Sequence, residues 1–490
     1  MKRTALALLL ALSSSPALAQ DPDALARKAE EILAKAPAGS RFGVLVVDDR
    51  GREVLAVNPD QRFIPASITK LFTTAAALDI MSADAAAVEA KAATSLSLVP
   101  AVRDGPDVVL TGGGTPLSTA ADCTRRCLNG LLSGIAMKAR RVGNVIADDT
   151  AFTDQRWSPG MSWNNISTES GTAASALVVD DNEVELVVSP GKGDAPATIY
   201  LSPYFALRNE VRTVAEGETK LAYDRAVNGR EVRVYGTIRT DAQPWRERLG
   251  IDDPADYAGW LVKEGLAARG VKVRGKVIVR HRPLRGLGSA PTAAPSVTPI
   301  VAMAVTPAPL AEEVVAINKP SQNLRAEVLL RRLGIVADGE DLFGPVTGEP
   351  GSLESGLAAV RTVLTKAGIP PAAAEFSDGS GMSTYNRVSP RGAVRLLTWA
   401  KTQPWAATWR ASLPVGGVDG TLRRRFAETA VAGKVFAKTG TLNATNALSG
   451  YVTAASGREM TFSILANDVP ADGRAVPVID ELLAAIAAVN

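Results

Sequence analysis

A serine and a lysine near the start of the chain have the spacing needed for nucleophilic catalysis without histidine. Ser67 and Lys70 follow Pro65 and precede an apolar run from Leu71 to Met81. Proline favours the first helical position and the apolar residues recur at helical spacing, so the sequence predicts Ser67 in the first turn of a helix. Positions three apart share a helix face, which would place the Lys70 amine beside the Ser67 hydroxyl.

Lysine is the base that this sequence favours. A serine hydroxyl becomes a useful nucleophile when an adjacent base accepts its proton. The one histidine, His281, lies in a basic run, where a surface strand end explains it better than catalysis does. Ser189 and Lys192 repeat the spacing, but the Pro-Gly pair between them predicts a turn. Taken alone, the pair at positions 67 and 70 also fits an ordinary helix end.

The first residues have the pattern of an export signal. Lys2-Arg3 is followed by the apolar stretch Ala5 to Leu12 and by Ala17-Leu18-Ala19, which is typical of a cleavage site. The sequence therefore predicts a signal peptide over residues 1–19. No later apolar run is long enough to span a bilayer. We expect a soluble, exported, periplasmic protein without a transmembrane segment.

Composition excludes several functional classes. The 490 residues are 46% apolar and 21% charged, which is typical of a globular protein with two or three domains. The net charge is +3, and Lys2 and Arg3 supply two of these charges, which argues against nucleic acid as a partner. Two cysteines and one histidine make a metal site improbable, and we predict no metal or other cofactor. Cys123 and Cys127 could pair, although positions four apart on a helix are near the limit of disulfide geometry.

The predicted elements divide the chain into three regions that differ in their secondary structure. We expect a first catalytic segment over residues 20–91, one or more inserted accessory domains over 92–299, and a second catalytic segment over 300–490. Turns separate short β-like runs in the middle region, whereas the outer regions combine helices with antiparallel strands that terminal helices could cover. The predicted outer elements are a helix at Asp23–Lys35, a hairpin of Phe42–Val47 with Glu53–Val57, helices at Leu310–Ile317, Leu324–Leu333, Leu353–Ala367 and Pro390–Thr402, strands at Val435–Thr441, Ala447–Thr453 and Glu459–Asn467, and a helix at Val478–Ala488. The predicted middle elements are strands at Val108–Leu110, Asn144–Ala147, Glu183–Val188, Val211–Val214, Glu231–Ile238 and Val271–Val279, with helices near Thr119–Ala139 and Tyr257–Arg269.

Two further motifs follow in the second catalytic segment. Ser321-Gln322-Asn323 lies in a tight loop between two predicted helices. Ser162-Trp163-Asn164 has the same spacing, so order and context, not the pattern alone, favour the later one. Lys438-Thr439-Gly440-Thr441 ends a strand-like run and contains the only Lys-Thr-Gly in the chain.

Ser-x-x-Lys, Ser-x-Asn and Lys-Thr-Gly in this order mark the penicillin-binding proteins and serine β-lactamases. The long interval from Lys70 to Ser321, together with the phrases at 318–323, 378–383 and 433–440, resembles the class C penicillin-binding proteins, which are D-alanyl-D-alanine carboxypeptidase/endopeptidases. Gln322 stands where the family is expected to have Asp. The resemblance implies an α/β (α+β) fold: a penicillin-binding/serine β-lactamase-like catalytic domain, with an antiparallel sheet flanked by helices and a large β-rich insertion.

The resemblance also implies roles for the motif residues. Ser67 would form an acyl-enzyme, Lys70 would accept its proton, and Ser321 would relay a proton to the leaving amine. Burial and the charge of Lys438 would both lower the pKa of Lys70. The implied substrate-binding groups are Asn323 for the substrate amide, Lys438 and Thr439 for the terminal carboxylate, the N–H groups of Ser67 and Thr441 for the oxyanion, and Gly440 for close approach of the substrate backbone.

Peptidoglycan stem peptides and β-lactam antibiotics are the partners that this resemblance implies. The alternatives are a serine β-lactamase and a catalytically vestigial peptidoglycan-binding scaffold. A fast β-lactamase needs a base that positions water, and Glu327 is the nearest carboxylate after the Ser-x-Asn motif. We predict a structural role for it, with Arg325 or Arg331 as its partner. The stretch from Asp378 to Gly381 is either a structural turn or part of the site.

Overall fold

The computed structural model describes residues 22–83, 85–102, 105–192, 195–284, 298–336 and 348–489. The predicted signal peptide lies outside these described residues, as does much of the Pro/Ala-rich stretch before position 300. Within the described ranges, no helix has the length and apolar character needed to cross a bilayer.

Helices and strands are mixed along the whole of the described chain. The helices are α1 (Pro22–Leu33), α2 (Thr69–Met81), α3 (Ala85–Ala92), α4 (Leu128–Lys138), α5 (Pro254–Ala267), α6 (Leu310–Asn318), α7 (Asn323–Val336), α8 (Leu353–Lys366), α9 (Pro390–Ala400), α10 (Ala406–Ser412) and α11 (Val476–Val489). The strands are β1 (Arg41–Val47), β2 (Glu53–Val57), β3 (Thr94–Val99), β4 (Asp107–Thr111), β5 (Pro116–Leu117), β6 (Arg141–Val142), β7 (Val145–Thr153), β8 (Val178–Val179), β9 (Glu183–Ser189), β10 (Thr198–Leu201), β11 (Ala206–Val214), β12 (Lys220–Asp224), β13 (Glu231–Arg239), β14 (Trp245–Gly250), β15 (Lys272–Val273), β16 (Val277–Arg282), β17 (Val301–Val305), β18 (Ala374–Glu375), β19 (Arg387–Val388), β20 (Val435–Leu442), β21 (Thr445–Thr453) and β22 (Glu459–Asn467).

One antiparallel sheet joins the two ends of the chain. Its strand order is β2-β1-β22-β21-β20, so the N-terminal hairpin lies beside the last strand and β20 forms an edge. Phe42 faces Ala466 across the β1–β22 pair, and Lys438 faces Ser449 across the β20–β21 pair. The sheet therefore brings the Lys-Thr-Gly strand into the same layer as the beginning of the chain.

Helices cover both faces of this sheet. On one face, Leu25 and Ile32 of α1 and Ile479 and Leu483 of α11 are buried against the strands, as we predicted for the terminal helices. On the other face, α2 packs among α6, α7, α8 and α10. Nearly every residue of α2 is buried, so the helix has no solvent-facing side and lies inside the core. The nucleophile segment is thus held by the most enclosed helix of the described chain.

Residues 94–305 form sheets and cores of their own. A five-stranded sheet has the order β16-β7-β4-β3-β17, and two three-stranded sheets follow the orders β10-β9-β14 and β11-β13-β12. Strands β3 and β17 pair antiparallel, with Ser97 opposite Ala302. The chain therefore leaves toward this region and returns from it through neighbouring strands.

The cysteines occupy a different local structure from the predicted helix. Cys123 and Cys127 form a disulfide with their Cα atoms 5.7 Å apart. The predicted helix from Thr119 begins only at Leu128, so residues 119–127 form a loop in which a spacing of four can bridge. The other predicted elements are present, most of them with shifted ends, and the strand predicted over Val271–Val279 is divided into β15 and β16. The elements that were not predicted are β3, β5, β6, β8, β10, β12, β14, β17, β18, β19, α3 and α10.

Candidate active site

Ser67 lies in a short 3₁₀ turn, Ala66–Ile68, that leads directly into α2 at Thr69. The side-chain hydroxyl of Thr69 donates to the carbonyl of Ala66 at 2.9 Å and closes the turn. Ala66 has a φ of 48°, in the left-handed region that costs a non-glycine residue roughly 1–2 kcal/mol. The predicted helix start is therefore correct to within one turn, and Ser67 occupies a strained turn just before the helix.

Three oxygen atoms surround the buried amine of Lys70. Its Nζ lies 2.9 Å from Ser67 Oγ, 2.6 Å from Asn323 Oδ1 and 2.6 Å from the carbonyl oxygen of Ser380. Burial lowers the pKa of Lys70 to about 7, while the charges of Asp378 and Glu327 act in the opposite direction. A lysine with this pKa supplies a neutral amine near neutral pH, as a general base requires.

Ser321 lies in the loop between α6 and α7 and faces the second buried lysine. Lys438 Nζ donates to Ser321 Oγ at 2.8 Å and to the carbonyl of Thr439 at 3.0 Å. Ser321 has a φ of 67°, so its backbone is also in the left-handed region. The structure thus brings all three motifs to one end of α2.

The two lysines differ from expectation in how their charges interact. Burial, and then the charge of Lys70, lower the pKa of Lys438 well below its usual value. We predicted that Lys438 would lower the pKa of Lys70. The charges that act on Lys70 are instead those of the two carboxylates, Asp378 and Glu327, and they oppose the lowering. Burial alone therefore makes Lys70 a base.

The outer edge of β20 borders the site. Ala437 N donates to the carbonyl of Pro414 on this side, away from β21. Because backbone groups of alternate residues point to the same side of a strand, Thr439 and Thr441 also present their N–H and C=O groups at this edge. The Thr439 hydroxyl lies 2.7 Å from that of Thr421.

Gly440 faces the nucleophile turn. A Cβ at this position would lie 2.7 Å from the carbonyl oxygen of Pro65 and 3.2 Å from the Cβ of Ala66. We predicted that the glycine leaves room for substrate. The room at its α-carbon is taken by the turn that carries Ser67, so the glycine allows β20 and that turn to pack closely.

Asn323 is the first residue of α7, and both ends of its amide are engaged. Its Oδ1 accepts from Lys70, and its Nδ2 donates to the backbone carbonyl of Ser170 at 3.0 Å. Ser170 belongs to the middle region of the chain. The predicted contact of Asn323 with a substrate amide would therefore have to share or replace one of these bonds.

The segment 378–383 forms part of the site, which the sequence left undecided. The buried carboxylate of Asp378 accepts from the backbone N–H groups of Gly381 (2.9 Å) and Ser383 (2.6 Å) and from Asn386 Nδ2 (2.6 Å). Burial raises the pKa of Asp378 to about 6. This loop presents the Ser380 carbonyl to Lys70, a backbone contact for which the sequence has no signal.

Glu327 anchors the same loop from α7. Its Oε1 accepts from the N–H groups of Gly379 (3.0 Å) and Ser380 (2.9 Å). Its Oε2 lies 2.9 Å from Arg331 Nη1, one of the two partners we predicted. The other, Arg325, instead pairs with Asp181 of the middle region at 2.7 Å.

Candidate groups outside the three motifs lie elsewhere. Ser189 ends β9, and Ser162 precedes a 3₁₀ turn. His281 is the penultimate residue of β16, near a strand end as we expected, but it is half-buried, and hydrogen bonds to Asp149 and Asp253 raise its pKa to about 10. Among the described residues, no group of three or more His, Cys, Asp or Glu side chains is arranged to hold a metal ion.

Fold and site together define a class of protein. A serine at the head of a buried helix, a lysine one turn later, a Ser-x-Asn loop and a Lys-Thr-Gly edge strand characterise the serine acyl-transfer enzymes with a penicillin-binding fold. In this structure they converge on a five-stranded antiparallel sheet with helices on both faces.

The chain belongs to the D-Ala-D-Ala carboxypeptidase 3 (S13) family, whose model matches residues 25–488. It is a serine-type D-Ala-D-Ala carboxypeptidase. It is 35% identical over 478 residues to a D-alanyl-D-alanine carboxypeptidase of Actinomadura sp. (strain R39), with 93% of this chain and 84% of that protein covered. It is 22% identical to the D-alanyl-D-alanine carboxypeptidase DacB of Haemophilus influenzae, with 88% and 86% covered. The crystal structure of penicillin binding protein 4 from H. influenzae superposes with a TM-score of 0.74 at 20% identity, covering 93% of this chain and 97% of that one.

Proposed function

We propose that Ser67 is acylated by the terminal D-alanyl-D-alanine of peptidoglycan stem peptides. Ser67 Oγ transfers its proton to neutral Lys70 and bonds to the carbonyl carbon between the two D-alanines. The N–H groups of Ser67 and Thr441 stabilise the oxyanion that forms. The carbon–nitrogen bond then breaks, Ser321 relays to the leaving amine the proton that Lys70 accepted, and D-alanine departs. Water hydrolyses the ester and restores the serine.

The remaining motif residues are proposed to bind the substrate. Lys438 and Thr439 bind the terminal carboxylate, which gives the buried Lys438 the negative partner that would favour its protonated form. Asn323 binds the amide of the acyl portion of the substrate. To do so, it gives up its hydrogen bond with either Lys70 or the Ser170 carbonyl. The same carbonyl chemistry would cleave a cross-linked peptide, so we propose an endopeptidase activity on strands that can reach the cleft.

One observation carries this proposal: the fully buried Lys70 amine, with a pKa of about 7, lies 2.9 Å from Ser67 Oγ. Intact mass after treatment with benzylpenicillin tests it. The wild-type chain should gain one penicilloyl group, and Ser67→Ala should gain none. Ser189→Ala is the matched control, because Ser189 has the same spacing to a lysine but lies at the end of β9. Labelling that survives in Ser67→Ala would contradict the assignment.

We further propose that the enzyme is a slow-turnover penicillin target and not a β-lactamase. Hydrolysis of the penicilloyl ester needs a base that activates water. Glu327 is the nearest carboxylate after the Ser-x-Asn motif, and it is occupied by two backbone N–H groups and Arg331. The adduct should persist for many minutes, and release of penicilloate at many turnovers per second would overturn this proposal. A vestigial scaffold would form no adduct at all.

We also propose that residues 92–299 are inserted between catalytic segments 20–91 and 300–490. The antiparallel pairing of β3 with β17 supports an insertion, and it favours a return at about residue 305. The pattern of residues 1–19 supports export to the periplasm, where stem peptides are accessible.

A further inference from the structure

We propose that Glu327, which lies outside all three motifs, is a positioning residue that directs the lone pair of Lys70 toward Ser67. This inference rests on the proposed acylation of Ser67 and deepens it. The carboxylate acts through the backbone of the neighbouring loop, without touching the reacting atoms.

The hydrogen bonds around Lys70 determine where the lone pair of its neutral amine points. A neutral lysine amine has two N–H donors and one lone pair, and it can act as a base only if the lone pair faces the hydroxyl. Two of the three oxygens around Lys70 Nζ are carbonyl oxygens, those of Asn323 and Ser380, and a carbonyl oxygen can only accept. They therefore take both N–H groups. The lone pair is left facing Ser67 Oγ, whose hydroxyl donates to it.

The direction of the lone pair thus depends on what holds the two carbonyls. The Asn323 amide is held by the backbone carbonyl of Ser170, which accepts a hydrogen bond from Nδ2. Because only Nδ2 can donate to this carbonyl, Oδ1 is directed toward Lys70. The Ser380 carbonyl is held by Glu327, because one carboxylate oxygen accepts from two consecutive N–H groups, of Gly379 and Ser380. Thr73 fixes the same loop by donating to the Gly379 carbonyl at 2.7 Å.

Glu327 is itself held in place by an arginine. Its side chain is 13% exposed and pairs with Arg331, which is 1% exposed. The other ionisable groups near Lys70 are Asp378 on the loop and Lys438 on β20. The charge of Glu327 opposes the loss of a proton from Lys70. The same carboxylate therefore fixes the position of the loop and affects the pKa of Lys70, and different substitutions can separate these two effects.

The experiment measures the rate of acylation by a fluorescent penicillin as a function of pH. Acylation needs neutral Lys70, so the rate rises through the pKa of Lys70, at about pH 7, to a plateau. Glu327→Gln keeps an acceptor but loses the charge, so the pKa of Lys70 should fall and the rise should move to lower pH. Glu327→Asp keeps the charge but shortens the side chain by one methylene. Its plateau should fall by about tenfold to a hundredfold, as expected for small errors of catalytic geometry.

Glu313 offers a matched control. It is 12% exposed and pairs with Arg332, the next arginine of α7, and both residues line a cavity that no residue of the three motifs lines. Glu313→Gln and Glu313→Asp should leave the position of the rise and the plateau unchanged. Thermal unfolding of all four variants identifies any that fail to fold, and either Glu327 variant alone still tests its own half of the proposal.

A wild-type plateau in Glu327→Asp, or an unmoved rise in Glu327→Gln, would overturn the proposal. Equal effects in the Glu313 and Glu327 variants would do the same, because they would indicate general loss of stability. Failure of the wild-type chain to be acylated would instead refute the proposed function, so the two failures are distinguishable.

Discussion

Lys70→Arg separates the charge of the residue at position 70 from its ability to accept a proton. At a pKa of about 7, roughly half of the Lys70 side chains are neutral at pH 7. A guanidinium has an unperturbed pKa of about 12.5 or higher. Even if burial lowered that value as much as it lowers the value for lysine, it would remain about 9, and about 1% of the side chains would be neutral at pH 7. Acylation should therefore slow by at least about fiftyfold, and general-base catalysis allows losses of ~10²–10⁴.

The assay is the second-order rate of acylation by a fluorescent penicillin at pH 7 and pH 9. The wild-type rate should change little between these values, whereas any residual rate of Lys70→Arg should increase with pH. Lys192→Arg is the control, since Lys192 has the same spacing to a serine outside the site. A folded Lys70→Arg protein that reacts within about threefold of the wild-type rate at pH 7 would refute Lys70 as the base.

Three further predictions concern the loop and the insertion. Gly381→Ala should abolish acylation and lower the melting temperature, because a Cβ would lie 1.9 Å from a carbonyl oxygen of the nucleophile turn. Gly39→Ala is the control, since Gly39 has a similar φ but no atom within 4 Å, and it should cost only the backbone strain. Equal effects of the two substitutions would contradict this prediction. The folded-state pKa of Asp378 is raised from 3.8 to about 6, so its contribution to stability is present below pH 4 and is lost as the pH rises through 6. For Asp378→Asn, the free energy of unfolding measured with denaturant should not show that decrease with rising pH. The same pH dependence of stability as in the wild type would contradict this prediction. Limited proteolysis within the insertion should leave segments 22–91 and 306–489 associated through their shared sheet, and separation during native size-exclusion chromatography would argue otherwise.

The parts of the site that sequence predicted are those with local rules. Ser67 and Lys70 meet because of the helical repeat, and Ser321 lies where two amphipathic helices are joined. Lys438 and Gly440 lie on the same edge strand, although the glycine makes room for the nucleophile turn and not for substrate as expected. Within each motif the spacing along the chain determines the spatial relation.

The parts that sequence did not predict are backbone groups brought from a distance. The carbonyls of Ser380 and Ser170 contact Lys70 and Asn323, and any residue type could supply them. Burial lowers the pKa of Lys70 as expected, but the opposing charges of Asp378 and Glu327 come from distant parts of the chain and were not predicted. Apolar periodicity does not show where a helix begins, so the sequence predicts Cys123 and Cys127 on a helix. In the structure they lie in a disulfide-bridged loop that precedes it.

The hydrogen bond between Asn323 and the Ser170 carbonyl limits how modular this enzyme is. The short distance between β3 and β17 suggests that the middle region could be excised and the ends rejoined. Excision would also remove the only described acceptor of Asn323 Nδ2, and the freed amide could rotate and present that nitrogen to Lys70. An amide nitrogen cannot accept from the amine, so the base would lose one of its two fixed acceptors. A minimal enzyme made by deleting the insertion would thus retain every catalytic motif and still have a misdirected base.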